Sequence, residues 1–172
     1  MFTKGIVDED FVNYKVPSMF INTCFCTFKC DQESGKPVCQ NSDLANAPTV
    51  QIKDSSLIKR FLANPITKAI VFGGLEPMDT LGHLLTFIEE LNKQNVTADL
   101  VIYTGYTHDE IFSVVEHLYD LCFPYRDLVV KYGRFIPNGQ PVFDEELGVT
   151  LASDNQYALR YSTYNKSTFE GE

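Results

Sequence analysis

Four of the chain's five cysteines, Cys24, Cys26, Cys30 and Cys39, lie within sixteen residues. Thiols gathered this closely, in a chain whose first residues lack the apolar core of a secretory signal, point to metal binding rather than to disulfides. Four thiolates could hold a structural zinc, whose sites commonly come as paired knuckles. Here Cys24 and Cys26 are separated by one residue, and in an extended chain they face opposite ways. One of the four is therefore expected to stand outside the ligand set. Three thiolates leave a coordination position open, which suits an iron–sulfur cluster with one iron free for substrate. On the cysteines alone, zinc, iron–sulfur and uncoordinated thiols all remain open.

Gly73-Gly74-Leu75-Glu76-Pro77 is the second chemical feature. Glycines directly after a buried strand allow a ligand close to the backbone. Strand-edge carbonyls and the Glu76 carboxylate would form an acceptor array for an ammonium group, and Pro77 stiffens the exit. Taken alone, the segment also reads as an ordinary turn from strand to helix.

The elements that must position these residues alternate between strand and helix. Strands are expected at 18–22, 68–72, 99–103 and 128–131, and helices at 55–63 with Asp54 as cap, at about 80–93 capped by Asp79 or Thr80, and at 107–119. The cysteine loop runs from Asn22 to about Pro48, and short β-prone pieces stand near 149–151 and 158–161. This pattern predicts an α/β fold with a mainly parallel sheet, in a single domain over residues 1–172. Ligands of such sheets gather beyond the carboxyl ends of the strands. The cysteine loop, 73–76, 103–105 and 131–133 all fall there.

Composition narrows the function classes. At 44% hydrophobic and 22% charged the chain can build a core, and no apolar run reaches the roughly 20 residues of a membrane helix. A net charge of −9 argues against nucleic acid as partner, because phosphate binding needs clustered Lys and Arg. A cytoplasmic protein without membrane association is expected. Lys29 and Lys36 read as solvated loop residues or as a docking patch for an acidic electron donor. His83, His108 and His117 fall in helical segments, with surface or capping roles. Cys122 reads as a buried core thiol.

In chain order, the cysteine loop after a strand, Gly-Gly-Leu-Glu-Pro after the next, Tyr103-Thr104-Gly105-Tyr106, Leu128-Val-Val-Lys-Tyr-Gly-Arg-Phe135 and Ser153-Asp-Asn-Gln156 resemble the radical S-adenosylmethionine enzymes. Within them the chain is most similar to the small activating proteins of anaerobic ribonucleoside-triphosphate reductase, over about residues 17 to 156. The resemblance implies a partial, open β/α barrel carrying a 4Fe-4S cluster on three cysteines, with S-adenosylmethionine bound to the fourth iron. It implies cofactor contacts from Gly73, Gly74, Glu76, Pro77, Asn41, Tyr103 and Thr104. It further implies cleavage to a 5′-deoxyadenosyl radical, a glycyl-radical enzyme as partner, in the first place anaerobic ribonucleotide reductase, and a flavodoxin- or ferredoxin-like electron donor. No general base or nucleophile is then required, because the cofactor carries the chemistry.

The chain departs from that family's Cys-x3-Cys-x2-Cys. Cys26 and Cys30 keep the first spacing, and the third cysteine, Cys39, comes only after the excursion Asp31–Val38. Cys26, Cys30 and Cys39 are the expected ligands. Cys24, which matches the family's distance from the strand, is the alternative first ligand. Val38 stands where the family has an aromatic residue, Lys131 where it has Asp, and Tyr157 where it has Arg. The excursion is polar and turn-rich, so it can bulge outward while its ends stay close. The competing functional class is a non-enzymatic zinc or iron–sulfur module of the same fold, serving as a binding or regulatory subunit.

Overall fold

The structure, a computed structural model, describes residues 1–162. Two strands that the apolar pattern does not announce come first: β1 (Phe2–Thr3) and the acidic β2 (Gly5–Asp10). They precede β3 (Ser18–Asn22), so the strand expected to open the fold is the third. The cysteine loop is not wholly irregular, for it contains α1 (Lys29–Ser34) and α2 (Ser42–Asn46). The short β4 (Val50–Gln51) then pairs with β1, and α3 (Asp54–Ala63) follows. After β5 (Ala69–Gly73), a single 3-10 turn at Met78–Thr80 leads into α4 (Leu81–Lys93). Next come β6 (Asp99–Tyr103), α5 (His108–Cys122) and β7 (Leu128–Tyr132). The hairpin β8 (Val142–Asp144) and β9 (Val149–Leu151) precedes β10 (Tyr157–Tyr161).

The main sheet has the order β10-β7-β6-β5-β3-β2. Its four central strands are parallel, and both edges, β2 and β10, are antiparallel. Because β3, β5, β6 and β7 lie side by side in chain order, the sheet is wound in one direction. Right-handed crossovers then put the connecting helices on one face. Met19, Ile21, Ile70, Phe72, Leu100, Ile102, Leu128 and Val130 turn toward Leu57, Ile58 and Phe61 of α3, Leu84, Phe87, Ile88 and Leu91 of α4, and Val115 and Leu118 of α5. Alternate residues, including Val71, Val101 and Val129, face a smaller cluster with Tyr14, Leu147 and Leu151. Phe87 is wholly buried, with its ring edge-on to Phe72. Phe87→Ala would therefore cost about 3–5 kcal/mol.

The period-2 alternation also decides what stands at the strand ends. Gly73, Tyr103 and Lys131 belong to the face away from the long helices, at the carboxyl ends of β5, β6 and β7. The helix starts differ from expectation in an instructive way. Asp54 is inside α3 and binds the Met1 ammonium at 2.7 Å. Asp79 caps nothing and reaches into the cysteine loop instead. Thr107 caps α5 through a reciprocal pair with Glu110. Cys122 is fully buried in α5, where burial pushes its thiol up to about 11. Among the described residues no helix is long and apolar enough to cross a membrane.

Candidate metal centre

The cysteine loop is sewn to the segment that follows β5. The Thr23 N–H donates to the Gly73 carbonyl at 3.0 Å, and the Glu76 N–H to the Phe25 carbonyl at 3.0 Å. The Asn41 side chain donates to the Gly74 carbonyl at 2.5 Å. Thr27 gives both its N–H and its hydroxyl to Asp79 Oδ2, at 2.6 and 2.8 Å, and the Tyr106 hydroxyl donates to Asp79 Oδ1 at 2.6 Å. The two motifs separated in sequence thus meet beyond the carboxyl ends of the parallel strands, where ligands of α/β sheets bind. The N-terminal strands help to hold them there. Lys4 donates to the carbonyls of Ala45 and Ala47 at 2.9 and 2.6 Å, and the Thr3 hydroxyl donates to the Asn22 carbonyl at 2.6 Å.

Within the loop, one strained residue sets the direction of the chain. Phe28 has φ 56° and ψ 42°, the left-handed region that costs a bulky residue on the order of 1–2 kcal/mol. In this conformation its N–H donates to Cys26 Sγ at 3.2 Å, and its carbonyl accepts from Asp31 and Gln32 to start α1. That short helix carries Cys30. Gly35, also left-handed, ends it, and the chain turns back to Cys39. The return is closed by Asp31, whose Oδ1 accepts from the N–H groups of Val38 at 2.8 Å and Cys39 at 2.9 Å.

All four loop cysteines are free and partly exposed. Cys26 and Cys39 each accept a backbone N–H, from Phe28 at 3.2 Å and Asn41 at 3.4 Å, and the Phe135 backbone acts on Cys30 in the lowering direction. The Cys39 charge acts on both Cys26 and Cys30. Cys24 is not among these partners. Burial, followed by the charges of Glu76, Asp79 and Cys39, pushes the Cys26 thiol up to about 11 against the lowering effect of the Phe28 N–H. Burial likewise raises Cys30. Among the described residues no three Cys, His, Asp or Glu side chains converge on one metal-ion position, so these thiols have to close together to share a metal. The donor set itself, soft thiols of which Cys26 and Cys39 are met by an N–H, suits an iron–sulfur cluster.

Each of the other predicted site residues has a definite place. Glu76 is buried, and its carboxylate accepts from the Thr104 hydroxyl at 2.7 Å, the Gly105 N–H at 2.8 Å and the Met78 N–H at 3.0 Å. Burial outweighs these three bonds and holds it above the ordinary carboxylate range. A carboxylate has about four acceptor positions, so one remains for an outside donor. The glycines face the chain's own side chains. A Cβ at Gly73 would stand 2.7 Å from Phe20 and 3.2 Å from Tyr103, and one at Gly74 (φ +80°) 2.5 Å from Asn22 and 2.8 Å from Leu44. The Tyr103 hydroxyl donates to the Asn13 carbonyl at 2.5 Å. Pro77 is buried and accepts from the N–H and hydroxyl of Thr80.

Three basic residues take places at the site that the sequence does not assign them. Lys131 is 7% exposed, and its ammonium donates to the Gly133 carbonyl at 2.8 Å and the Thr104 carbonyl at 3.5 Å. Burial lowers it to about 8, while Glu76 and Cys30 pull the other way. Arg134 clasps Glu110 with two bonds of 2.9 and 2.7 Å and meets Glu33 of α1 at 3.1 Å. Lys29 lies 4.2 Å from the Tyr106 ring centre and 3.5 Å from Glu110. Each left some signal in the sequence: Lys131 stands where the resembling family has Asp, Arg134 lies in the Leu128–Phe135 motif, and Lys29 is one of the two lysines of the cysteine loop.

The sequence model of one protein family, described as a 4Fe-4S single cluster domain, matches residues 18–142. No curated protein and no solved structure matches the chain.

Proposed function

We propose, from the premise that this chain belongs to the family of 4Fe-4S single cluster domains, that it is a radical S-adenosylmethionine enzyme that installs a glycyl radical on a partner, in the first place an anaerobic ribonucleotide reductase. The observation that carries this reading is the lacing of the cysteine loop to Gly73–Pro77 through Thr23, Phe25 and Asn41. It joins a thiolate donor set and an ammonium-accepting strand end in one place. A one-directional sheet with its site at the carboxyl ends of the strands also suits the partial barrel expected for this chemistry.

Cys26, Cys30 and Cys39 would hold the cluster, and Cys24 would stand beside it. The cluster and S-adenosylmethionine, when bound, would supply one-electron cleavage of the sulfonium to methionine and a 5′-deoxyadenosyl radical able to take a hydrogen atom from a glycine of the partner. The chain's own residues bind and orient. The free acceptor position of Glu76 would accept a hydrogen bond from the ammonium group. Thr104, Gly105 and Met78 fix the orientation of the carboxylate. Asn41 fixes the Gly74 carbonyl, and Phe20 and Tyr103 pack under Gly73 and keep water from below. A flavodoxin- or ferredoxin-like protein would supply the electron.

The test is anaerobic reconstitution with iron and sulfide, followed by dithionite and S-adenosylmethionine. The expected products are 5′-deoxyadenosine and methionine, and with the partner reductase a glycyl radical seen by electron paramagnetic resonance. One observation favours a second reading, a metal module without enzymatic activity: three internal donors already occupy Glu76. A fully loaded cluster that yields no 5′-deoxyadenosine would decide for it.

A further inference from the structure

The excursion Asp31–Val38 separates Cys30 from Cys39 by eight residues, and a flexible loop of that length leaves its ends free to wander. In this chain it is not flexible in the relevant sense. Residues 29–34 are helical, Gly35 stops the helix in a left-handed conformation, and residues 36–38 return. The return ends on Asp31, the residue next to Cys30. Its Oδ1 accepts from both Val38 and Cys39, at 2.8 and 2.9 Å. One carboxylate oxygen thereby ties the backbone of Cys39 to the first turn of the helix that carries Cys30. The outer side of that helix is held as well, by Glu33 against Arg134 at 3.1 Å.

From this geometry we infer that Asp31 is a positioning residue for the metal centre: its side chain closes the excursion and delivers the Cys39 thiolate to the site occupied by Cys26 and Cys30. The inference rests on the cluster-binding reading and deepens it. What a short loop would do by its length, this chain does with one acceptor oxygen. The bond-making feature is the oxygen rather than its charge, because both N–H groups meet the same atom. Asn, which presents the same carbonyl oxygen, should replace Asp, and Ala should not. Outer residues that orient metal ligands characteristically change metal affinity by about 10- to 100-fold when removed.

The experiment is an anaerobic cobalt(II) titration of the full chain, because the intensity of thiolate-to-cobalt absorption counts the bound thiolates. It is run on wild type, Asp31→Ala and Asp31→Asn, with circular dichroism and thermal melting of the metal-free proteins alongside. Asp31→Ala should bind cobalt about 10-fold or more weakly, with one thiolate fewer in the absorption. Its metal-free Cys39 should be alkylated faster than in wild type, and its helix content should be unchanged. Asp31→Asn should stay within about 3-fold of wild type, well inside that range. An Asp31→Ala protein with wild-type affinity and absorption overturns the inference while leaving the cluster reading intact. So does an Asp31→Asn protein as impaired as Asp31→Ala, because charge rather than closure would then be the cause. A wild-type chain that binds cobalt without thiolate absorption overturns the cluster reading, and the role of Asp31 with it.

Discussion

Lys131 and Arg160 stand on neighbouring strands and on the same face of the sheet. β7 and β10 pair with Lys131 opposite Ala158 and Val129 opposite Arg160, and residues directly opposite in an antiparallel pair share a face. The two cations nevertheless live differently. Arg160, at the end where the parallel strands begin, meets Asp127 at 2.7 Å, Glu146 at 2.9 Å and Asp99 at 3.2 Å, and donates to the Tyr14 hydroxyl at 2.6 Å. Lys131, at the end where they finish, has two backbone carbonyls and no bonded carboxylate. One end of the sheet is a closed ion network, and the other keeps a buried ammonium on the side of the cysteine loop. Charge is settled at the amino end of the parallel strands and left unsettled at the end that carries the thiols. Thiolates formed when metal binds would bring negative charge next to Lys131, which the Cys30 charge already favours in its protonated form.

The largest effect expected from breaking this contrast belongs to the thiols. Replacing Cys26, Cys30 or Cys39 by Ala should each abolish cluster loading, measured as iron and sulfide content and visible absorption. Cys24→Ala should leave loading intact. All four changes should move the melting of the metal-free protein little, because partly exposed side chains away from the core count for about 0.5 kcal/mol. If Cys24→Ala loses the cluster while Cys26→Ala keeps it, the ligand set begins one alternation earlier than the N–H···S contacts indicate.

How much of this could be read in the sequence differs between the two ends for a physical reason. The apolar runs at Ala69–Gly73, Asp99–Tyr103 and Leu128–Tyr132 declare themselves because both faces of a parallel strand are covered. The spacing of Leu84, Ile88 and Leu91 declares α4 in the same way. β2 does not, since Gly-Ile-Val-Asp-Glu-Asp is an acidic edge strand whose register comes from pairing with β3 rather than from its own pattern. At the site, the identity of the thiols and the two glycines was legible, and the ways they are held were not. Asp79 looked like a helix cap and instead binds Thr27 and Tyr106. Asp31 looked like one polar loop residue among eight. A side chain that bonds across chain distance leaves no period, and only coordinates reveal it.

At the amino end, Arg160→Met should destabilise the folded chain by about 2–3 kcal/mol, between the exposed and buried limits for ion pairs. It takes the shared guanidinium from Asp99, Asp127 and Glu146, while Tyr14 still donates to Asp99 and Lys15 to Glu146. Urea unfolding should register this loss, and the cluster content of the folded protein should not change. A loss of cluster without a loss of stability would mean the two ends are not separable. Lys131→Met should do the opposite, leaving the metal-free chain unchanged or up to about 2 kcal/mol more stable, as replacement of buried charges by apolar groups often does. The sign with pH follows from burial lowering Lys131 to about 8. Between about pH 8 and the ordinary lysine value near 10.4, the unfolded chain holds a proton that the folded one has lost. The stability of wild type relative to Lys131→Met should therefore rise through that window, the raised thiols of Cys26, Cys30 and Cys122 acting the other way in both proteins alike.

The smallest effect concerns the clasp over the thiol end. The Arg134 guanidinium bonded to Glu110, aided by the Thr107 N–H and working against burial, holds that carboxyl down at about 2. The folded value lies below the unfolded one near 4.3, so the stabilisation is complete above about pH 5 and disappears as pH falls toward 2. Because the Glu110 side chain is 34% exposed, solvent screening keeps the contribution under about 1 kcal/mol. The difference in unfolding free energy between wild type and Glu110→Gln should be constant from pH 5 to 7 and shrink toward zero on acidification. At the opposite end, burial raises Glu146, but the bonds from Arg160 and Lys15 outweigh it and leave the carboxyl below its ordinary value. It loses stability with acid in the same direction, so acid alone cannot tell the ends apart. Salt can: the single Arg134–Glu110 pair should weaken as ionic strength rises past about 0.1 M, where screening reaches about 10 Å, while the Arg160 network, in which one guanidinium meets three carboxylates at 2.7–3.2 Å, should lose a smaller share of its energy. Equal salt sensitivity in Glu110→Gln and Arg160→Met cycles would mean that the network at the closed end resists screening no better than the single pair at the open one.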